Sequence, residues 1–218
     1  MVRKIYNFLR HFGKNVKLII VSIRIKKIVT LIGKNQSFKL SSGVKLSRGS
    51  KKTNVILHEH CDMWGTIISI AGGTVIMHDW SKIGPGSVIT SVNRVEIGRD
   101  TAIAMGVTII DNNTHPLNPE DRRYMRHTPH HSRERGNEYS ANAPIIIGEN
   151  VWIGTNARIQ KGVTIGNNAI IAANSVVTHD VPANAIAAGN PARIVKTDID
   201  KTTTPIFPLS NKKNAELP

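Results

Sequence analysis

A strict six-residue period constrains this chain more than any other feature of its 218 residues. Aliphatic residues recur at every sixth position from Ile147 to Val177. A helix repeats its apolar face every three or four residues and a strand every two, so neither element alone accounts for this period. Small or β-branched residues follow four positions after each aliphatic residue, as Val151 and Ala157 do. The period therefore predicts short strands joined by tight turns.

Residues that tolerate positive φ stand where those turns are expected. Gly148, Gly154 and Gly166 directly follow an aliphatic residue, and asparagines crowd the same stretches. Three strands of six residues then form one coil, and successive coils stack at about 4.8 Å, the spacing of paired strands. We expect the interior to be a column of aliphatic side chains with three vertical pairs: Ile147 and Ile165, Ile153 and Ile171, Ile159 and Val177.

The same step appears upstream with interruptions. It relates the residues Ile97, Ile103 and Ile109, the pair Ile83 and Ile89, the pair Ile70 and Ile76, and the pair Leu40 and Leu46. Between these groups the phase slips, by one residue from 76 to 83 and by two from 89 to 97. We interpret the slips as insertions at corners. The alternative fold, an ordinary β-sandwich with short strands, is disfavoured because it would not hold a six-residue phase over the C-terminal coils.

One long segment leaves the repeat. The phase from Ile97 predicts an aliphatic residue at position 115, where the chain has His115. Residues 116–143 contain no hexad and are rich in Arg, His, Pro and Asn, and the repeat resumes at Pro144. Long loops inside compact domains are usually functional, so this loop is the first place to look for chemistry.

The positive charge belongs to one end of the chain. The first 52 residues hold 14 Lys and Arg and no acid, whereas the remainder holds 15 of each sign. With 5% aromatic residues and no recognised binding motif, nucleic acid is not the expected partner. Residues 1–36 carry apolar positions at helical spacing between the basic ones. Two roles stay open for such a helix: resting on an anionic membrane surface, or covering the open end of the coil stack.

Cysteine content and hydropathy limit the setting. Cys61 is the only cysteine, which excludes an internal disulfide and favours a reducing, cytoplasmic compartment and a buried core thiol. The most apolar run, Leu18 to Ile23, is far shorter than the roughly 20 residues that cross a bilayer. We therefore expect no membrane-spanning helix and no secretory signal, and a cytoplasmic protein that the N-terminal helix could attach to the inner face of the membrane.

Several runs together resemble the hexapeptide-repeat acyltransferases, with maltose and galactoside O-acetyltransferases and their polysaccharide-modifying relatives the most similar. The runs are Asn113–Leu117 (NTHPL), Ala143–Gly154 (APIIIGENVWIG), Gly162–Gly166 (GVTIG), Ser175–Pro182 (SVVTHDVP) and Ala188–Arg193 (AGNPAR). The resemblance is strong over about residues 83 to 196. It implies a left-handed parallel β-helix, a homotrimer and active sites between neighbouring subunits.

The same resemblance implies a site for acetyl-CoA along the outside of the C-terminal coils. The implied contacts are Trp152, Thr155, Ala173, Thr178 and His179, with Arg193 and Lys196 at the phosphates. Two departures from the family stand out. His179 replaces a usual Lys, and Gly84, Gly86 and Ser91 occupy the coil where the sugar enzymes carry Asn and Asp.

Acyl transfer from a thioester to a hydroxyl requires a base for the hydroxyl proton. Histidine suits this task, since an unperturbed imidazole with a pKa of about 6.5 is mostly neutral near pH 7. His115 is the predicted general base, and Asp111 or Glu138 could orient its ring. A nucleophile-elbow motif is absent from the sequence, so we expect direct transfer without an acyl-enzyme.

Other histidines invite a metal interpretation. His58 and His60 would lie on one face of a strand, and three more histidines cluster in the loop at His127, His130 and His131. The loop histidines are flanked by arginines, which disfavour a bound cation, so no metal is expected. The basic cluster of the loop could instead hold an anionic acceptor or form a solvated face.

These observations predict an all-β chain with a left-handed parallel β-helix at residues 37–196, a protruding loop at 116–143, a basic helical segment at 1–36 and a tail at 197–218. The predicted activity is acetyl-CoA-dependent O-acetylation of a saccharide hydroxyl in capsule, exopolysaccharide or lipopolysaccharide synthesis. N-acetylation of an amino sugar or an antibiotic and a non-catalytic hexapeptide scaffold remain as alternatives.

Overall fold

The computed structural model describes residues 2–202, with side chains from residue 12 onward. The chain begins with helix α1 (Val2–Ile28). Strands β1 to β12 follow at Thr30–Leu31, Ser37–Phe38, Gly43–Ser47, Val55–Leu57, Asp62–Met63, Thr66–Ile70, Thr74–Met77, Lys82–Ile83, Val88–Ser91, Arg94–Ile97, Ala102–Ile103 and Thr108–Ile110. After helix α2 (Pro119–His127) come β13 to β20 at Ile145–Ile147, Trp152–Ile153, Arg158–Ile159, Thr164–Ile165, Ile170–Ile171, Val176–Val177, Ile186–Gly189 and Ala192–Lys196, and then helix α3 (Ile199–Thr202).

The strands form a three-sided parallel coil stack. Sheet A has the order β1-β4-β7-β10-β13-β16, sheet B the order β2-β5-β8-β11-β14-β17-β19-β20, and sheet C the order β3-β6-β9-β12-β15-β18. Each coil passes through A, B and C in turn, so the main chain pairs with the coils above and below it. All pairings within the sheets are parallel except that of β19 with β20, which is antiparallel.

The predicted register of the C-terminal coils is confirmed. Ile147 pairs with Ile165, Ile153 with Ile171 and Ile159 with Val177. The column continues upstream, because Ile97 pairs with Ile147 in sheet A. These side chains are buried and form one continuous core.

Two of the upstream hexad pairs are wrong. Met77, not Ile76, is in register with Ile97, and Met77 is fully buried while Ile76 points outward. Leu40 is 47% exposed, and Ile70 points out of β6. Strands β6 and β7 have five and four residues and alternate inward and outward positions, so an assignment one residue off selects the outer face.

The roles of glycine and asparagine at the corners differ from the prediction, which placed glycine at the positions of positive φ. Positive φ is adopted by asparagines, including Asn150, Asn156 and Asn174, and not by Gly148, Gly154 or Gly166. The glycines are required for close approach instead. A Cβ atom on Gly154 would lie 2.6 Å from the backbone nitrogen of Ala173 in the next coil. This distance is shorter than the contacts that real Cβ atoms make.

The predicted N-terminal helix is present, and its final turns cover the first coils. Ile25 and Val29 are buried in the core, and Val21 and Ile28 pack against it. Strand β1 pairs with β4, so the coil stack takes in residues of segment 1–36. Among residues 2–202, no helix combines the length and apolarity that crossing a bilayer requires.

The other end of the stack is covered by β20 and α3. Ile199 of α3 is buried, whereas most of the predicted tail, residues 203–218, lies outside the described residues. Cys61 is fully buried, as predicted, and burial raises the pKa of its thiol.

Candidate active site

The long loop leaves the stack where β12 of sheet C would turn into β13 of sheet A. We call this corner, repeated in each coil, the C/A edge. The loop contains α2 and two short 3-10 turns, Arg133–Arg135 and Asn137–Tyr139. Asn118 caps α2, because its side chain accepts hydrogen bonds from the backbone N–H groups of Glu120 and Asp121.

The two ends of the loop are joined at its base. Asn112 and Asn142 form an isolated antiparallel bridge, and the N–H of Ala143 donates to the carbonyl of Asp111 at 3.0 Å. The Asn93 side chain of the preceding coil donates to the Asn142 side chain at 2.9 Å. The loop therefore projects from a closed, hydrogen-bonded base.

A buried carboxylate organises that base. Asp111 is fully buried and accepts hydrogen bonds from Ser91 Oγ at 2.7 Å, the Val92 N–H at 3.0 Å and the Asn93 N–H at 2.9 Å. The Asn112 side chain donates to it at 3.0 Å. With its oxygens engaged in this way, Asp111 holds the loop base to the preceding coil.

His115 stands on this base and is exposed. Asn112 Oδ1 accepts the N–H of Thr114, which has a positive φ of 61°, at 2.9 Å. Thr114 Oγ1 lies 3.0 Å from His115 Nδ1. Neither Asp111 nor Glu138 is the ring's partner in this contact; Asp111 acts on it only through Asn112 and Thr114.

A cavity of about 150 Å³ opens beside the ring. It is lined by His115, Arg122, Met125, Arg126 and Arg135. Met125 is buried and supplies an apolar wall, whereas the arginines supply positive charge. The cavity thus joins a candidate base to a cationic surface.

Arg48, in an N-terminal coil, fastens the far side of the loop. Its guanidinium donates to the carbonyls of Ser132 at 3.2 Å and Arg133 at 3.3 Å, and lies 3.5 Å from Glu138 Oε1. Sequence reasoning missed Arg48, because nothing in the spacing relates it to a loop some 85 residues away. Glu138, a predicted partner of His115, is instead paired with Arg48.

The predicted donor-binding residues divide into two groups. Trp152 points outward from sheet B with 56% of its surface exposed. Thr155 and Ala173 stand at stacked corners between sheets B and C, where the N–H of Asn174 donates to the Thr155 carbonyl at 2.9 Å. These three residues lie away from the C/A edge that carries His115.

The second group lies nearer the C-terminal end. Thr178 and His179 follow β18 at the C/A edge, with Thr178 Oγ1 2.9 Å from His179 Nδ1. His179 and Arg193 together line a cleft of about 320 Å³. Lys196 is exposed and in register with Ile186 at the end of the β19–β20 pair.

The histidines considered for a metal do not stand on a strand. The corner between β4 and β5 contains His58, Glu59 and His60. The chain turns there, and His60 adopts a positive φ of 56°. His60 stacks on Trp80 at 4.0 Å, and burial, together with the neighbouring His78, lowers the pKa of His58. Within the described part of the chain, no group of three or more His, Cys, Asp or Glu side chains is arranged to hold a metal ion.

Comparison with known proteins adds an independent line. The family model described as bacterial transferase hexapeptide (six repeats) matches residues 144–179. A galactoside O-acetyltransferase of Escherichia coli is 38% identical over 117 residues, which span 50% of this chain and 57% of that protein. A provisionally named acetyltransferase of Saccharomyces cerevisiae is 36% identical over 170 residues, 76% of either chain.

A solved structure agrees with these relatives. The crystal structure of the polySia specific acetyltransferase NeuO matches with a TM-score of 0.56 and 25% identity, covering 78% of this chain and 75% of that one. The galactoside enzyme is matched over little more than half its length.

Proposed function

This chain belongs to the hexapeptide-repeat acetyltransferase family, and on that premise we propose that it transfers an acetyl group from acetyl-CoA to a saccharide hydroxyl. The family resemblance and the left-handed parallel β-helix expected from it are confirmed. The galactoside enzyme is matched over only 57% of its length. Its name therefore supports a saccharide acceptor for this chain, and the acceptor is part of the proposal.

The observation that carries the proposal is the setting of His115. The residue is exposed at the base of the loop, beside a cavity, and its Nδ1 lies 3.0 Å from Thr114 Oγ1. An imidazole that donates Nδ1–H to this hydroxyl keeps Nε2 unprotonated. Nε2 is then the atom that accepts a proton.

The roles of the chain's own groups follow. His115 Nε2 accepts the proton of the acceptor hydroxyl while the hydroxyl oxygen bonds to the acetyl carbon, and returns that proton to the sulfur as the carbon–sulfur bond breaks. Atoms and charge balance without an acyl-enzyme. Asp111 and Asn112 position the ring through Thr114, which fits a general base that must be held in one orientation.

Residues of the C-terminal coils are the proposed binding site for the donor, acetyl-CoA. When bound, this molecule supplies the acetyl group as a thioester. Arg193 and His179 line the cleft at the C-terminal end, and a guanidinium matches the geometry of phosphate oxygens. The exposed Trp152 ring offers a flat apolar surface. Thr155, Ala173, Thr178 and Lys196 complete the proposed set.

A homotrimer is part of the same proposal. Trp152, Thr155 and Ala173 lie at a different edge of the coil from His115, and sites formed between subunits would let one chain supply His115 and its neighbour supply the other edge. Light scattering of the purified protein should give three chain masses. A monomer with full activity would contradict this arrangement.

We also propose a peripheral position at the inner face of the membrane. On the side of α1 that does not cover the coil stack, exposed apolar residues recur at helical spacing, namely Val16, Ile19, Ile20 and Ile23. Lys17, Arg24, Lys26 and Lys27 accompany them and no acid occurs in α1, so like charges would oppose pairing of two such helices while anionic lipid would attract them.

Removing residues 1–36 would not test this position cleanly, because Ile25, Val29 and β1 belong to the covered end of the stack. The substitution Ile19→Asp on the exposed face leaves that cover in place. It should abolish sedimentation of the full chain with anionic vesicles, whereas Met105→Asp at an exposed corner should not. Equal sedimentation of Ile19→Asp and the unaltered protein would contradict the membrane proposal.

A product assay tests the reaction class. The protein should release CoA thiol from acetyl-CoA only when a saccharide is present, and the product should lose its acetyl group in mild hydroxylamine, which cleaves esters and spares amides. A hydroxylamine-resistant product from an amino sugar would favour N-acetylation. Absence of any transfer across neutral, acidic and amino sugars would favour the non-catalytic scaffold.

A further inference from the structure

Among the described residues, the polar side chains that line the cavity beside His115 are histidine and arginine only. Arg122 and Arg126 belong to α2, and Arg135 belongs to the 3-10 turn Arg133–Arg135. Met125 provides the remaining wall. None of the carboxylates in the part of the chain that the structure describes lines this cavity of about 150 Å³.

Two of the guanidinium groups are held by backbone carbonyls. Arg135 donates to the Thr128 carbonyl from Nε at 3.0 Å and from Nη2 at 2.8 Å. Arg122 Nη1 donates to the Leu117 carbonyl. Carbonyl oxygens orient a guanidinium but carry no net charge, so these contacts fix the positive groups without neutralising them.

The acids of the loop lie elsewhere. The segment 116–143 holds five Arg and four Asp and Glu, so its composition is nearly balanced. Glu120 and Asp121 occupy the first turn of α2, where their negative charges stabilise the helix N-terminus. Glu134 is exposed in the 3-10 turn Arg133–Arg135 and Glu138 pairs with Arg48, and neither residue lines the cavity. The positive cavity therefore arises from placement rather than from composition.

Ion pairing within the chain supports this point. Among residues 2–202, Arg48, Arg94 and Arg99 each lie within ion-pairing distance of a carboxylate, and the three cavity arginines do not. An oriented guanidinium without a carboxylate partner is prepared to bind an anion, commonly through two parallel hydrogen bonds.

We propose that this cavity binds a carboxylate or phosphate carried by the saccharide acceptor, so that the protein acetylates acidic glycans in preference to neutral ones. The inference rests on the proposed function, since the cavity faces an acceptor only if His115 is the base. An anion held beside the imidazole would place a neighbouring hydroxyl of the same sugar within its reach.

Three matched disaccharides test the proposal: a neutral one, its uronic acid with a carboxylate in place of one hydroxymethyl group, and its phosphate ester. Acetyl transfer to each is measured with the unaltered protein and with Arg126→Gln. Arg126 is chosen because no hydrogen bond of its side chain is found within the described residues, so its loss should spare the loop. Arg123→Gln, an exposed α2 residue outside the cavity, is the matched control.

At low salt we expect kcat/KM to be at least tenfold higher for an acidic acceptor. In Arg126→Gln the KM for that acceptor should rise roughly tenfold, as expected for loss of one charge-assisted contact. Arg126→Lys should recover part of the loss. The KM for acetyl-CoA and all values for Arg123→Gln should not change.

The remaining outcomes are decisive in different ways. Equal transfer to neutral and acidic acceptors overturns the inference and leaves the proposed function standing. A raised KM for acetyl-CoA in Arg126→Gln assigns the arginines to donor phosphates and also overturns the inference. Transfer to no saccharide at all overturns the proposed function itself.

Discussion

The C-terminal coils and the N-terminal coils share one fold, but the spacing of buried residues along the sequence differs between them. Strands β14 to β18 have two residues each, and each buries a single aliphatic residue. Strands β6 and β7 have five and four residues, and β7 buries both Val75 and Met77. Short strands therefore make the six-residue period visible, and longer strands overlay it with a period of two.

The junction of the two regions is where the largest effect is expected. Asp111→Ala should lower the free energy of unfolding by about 3–5 kcal/mol, because the hydroxyl of Ser91 and the N–H groups of Val92 and Asn93 would all lose the same acceptor. Urea unfolding followed by circular dichroism measures this. Exposed Glu149 is the control, because no hydrogen bond or ion pair of its side chain is found within the described residues: Glu149→Ala should change stability by less than about 0.5 kcal/mol.

A second pair of substitutions sharpens the register of the N-terminal coils. Met77→Ala should cost about 3 kcal/mol, because it opens a cavity in the core, whereas Ile76→Ala on the outer face should cost under about 1 kcal/mol. Unfolding at one protein concentration gives both values. A larger loss for Ile76→Ala would restore the simple hexad assignment for this coil.

Close approach at the corners predicts a smaller contrast. Gly154→Ala should cost about 2–3 kcal/mol, since its Cβ would lie 2.6 Å from a backbone nitrogen. Gly49→Ala, with a φ of 88° and no atom within 4 Å of the new Cβ, should cost only about 1–2 kcal/mol of backbone strain. Equal losses would mean that the coils can separate to admit a methyl group.

A titrating group in the N-terminal coils should give the smallest effect. Burial alone would raise the pKa of Glu96, but hydrogen bonds from His78 and Arg94 outweigh it and lower the pKa. A carboxyl whose folded-state pKa is lowered stabilises the fold above its unfolded pKa, and this contribution is lost as the pH falls through the folded value.

Stability should therefore decline below about pH 4.5 by less than about 1 kcal/mol through Glu96. Thermal unfolding from pH 7 to pH 3 measures the decline. Glu96→Gln should flatten it; an unchanged pH profile in that variant would remove Glu96 as its source.

How much the sequence could predict follows from the same comparison. The pairing of Ile153 with Ile171 follows directly from an unbroken period, and His115 is found where that period fails. The burial of Met77 rather than Ile76 could not be predicted in the same way, because it depends on the length of β7. No local sequence pattern gives that length.

The site shows a similar division. His115 is visible because it stands in a short motif, but its link to Asp111 runs through Asn112 and Thr114, a hydrogen-bond path that spacing does not reveal. The contact of Arg48 with the loop is invisible in sequence, because it depends on how a loop folds back across the stack.

The most direct test of the central claim is acetyl transfer by His115→Ala beside His130→Ala, which changes an exposed histidine of the same loop outside the cavity. CoA thiol release in the presence of an accepted saccharide is measured for both, with circular dichroism and light scattering to establish intact fold and assembly. His115→Ala should lose about 10²–10⁴-fold in kcat while His130→Ala keeps full activity. Full activity of a folded His115→Ala protein would contradict the account.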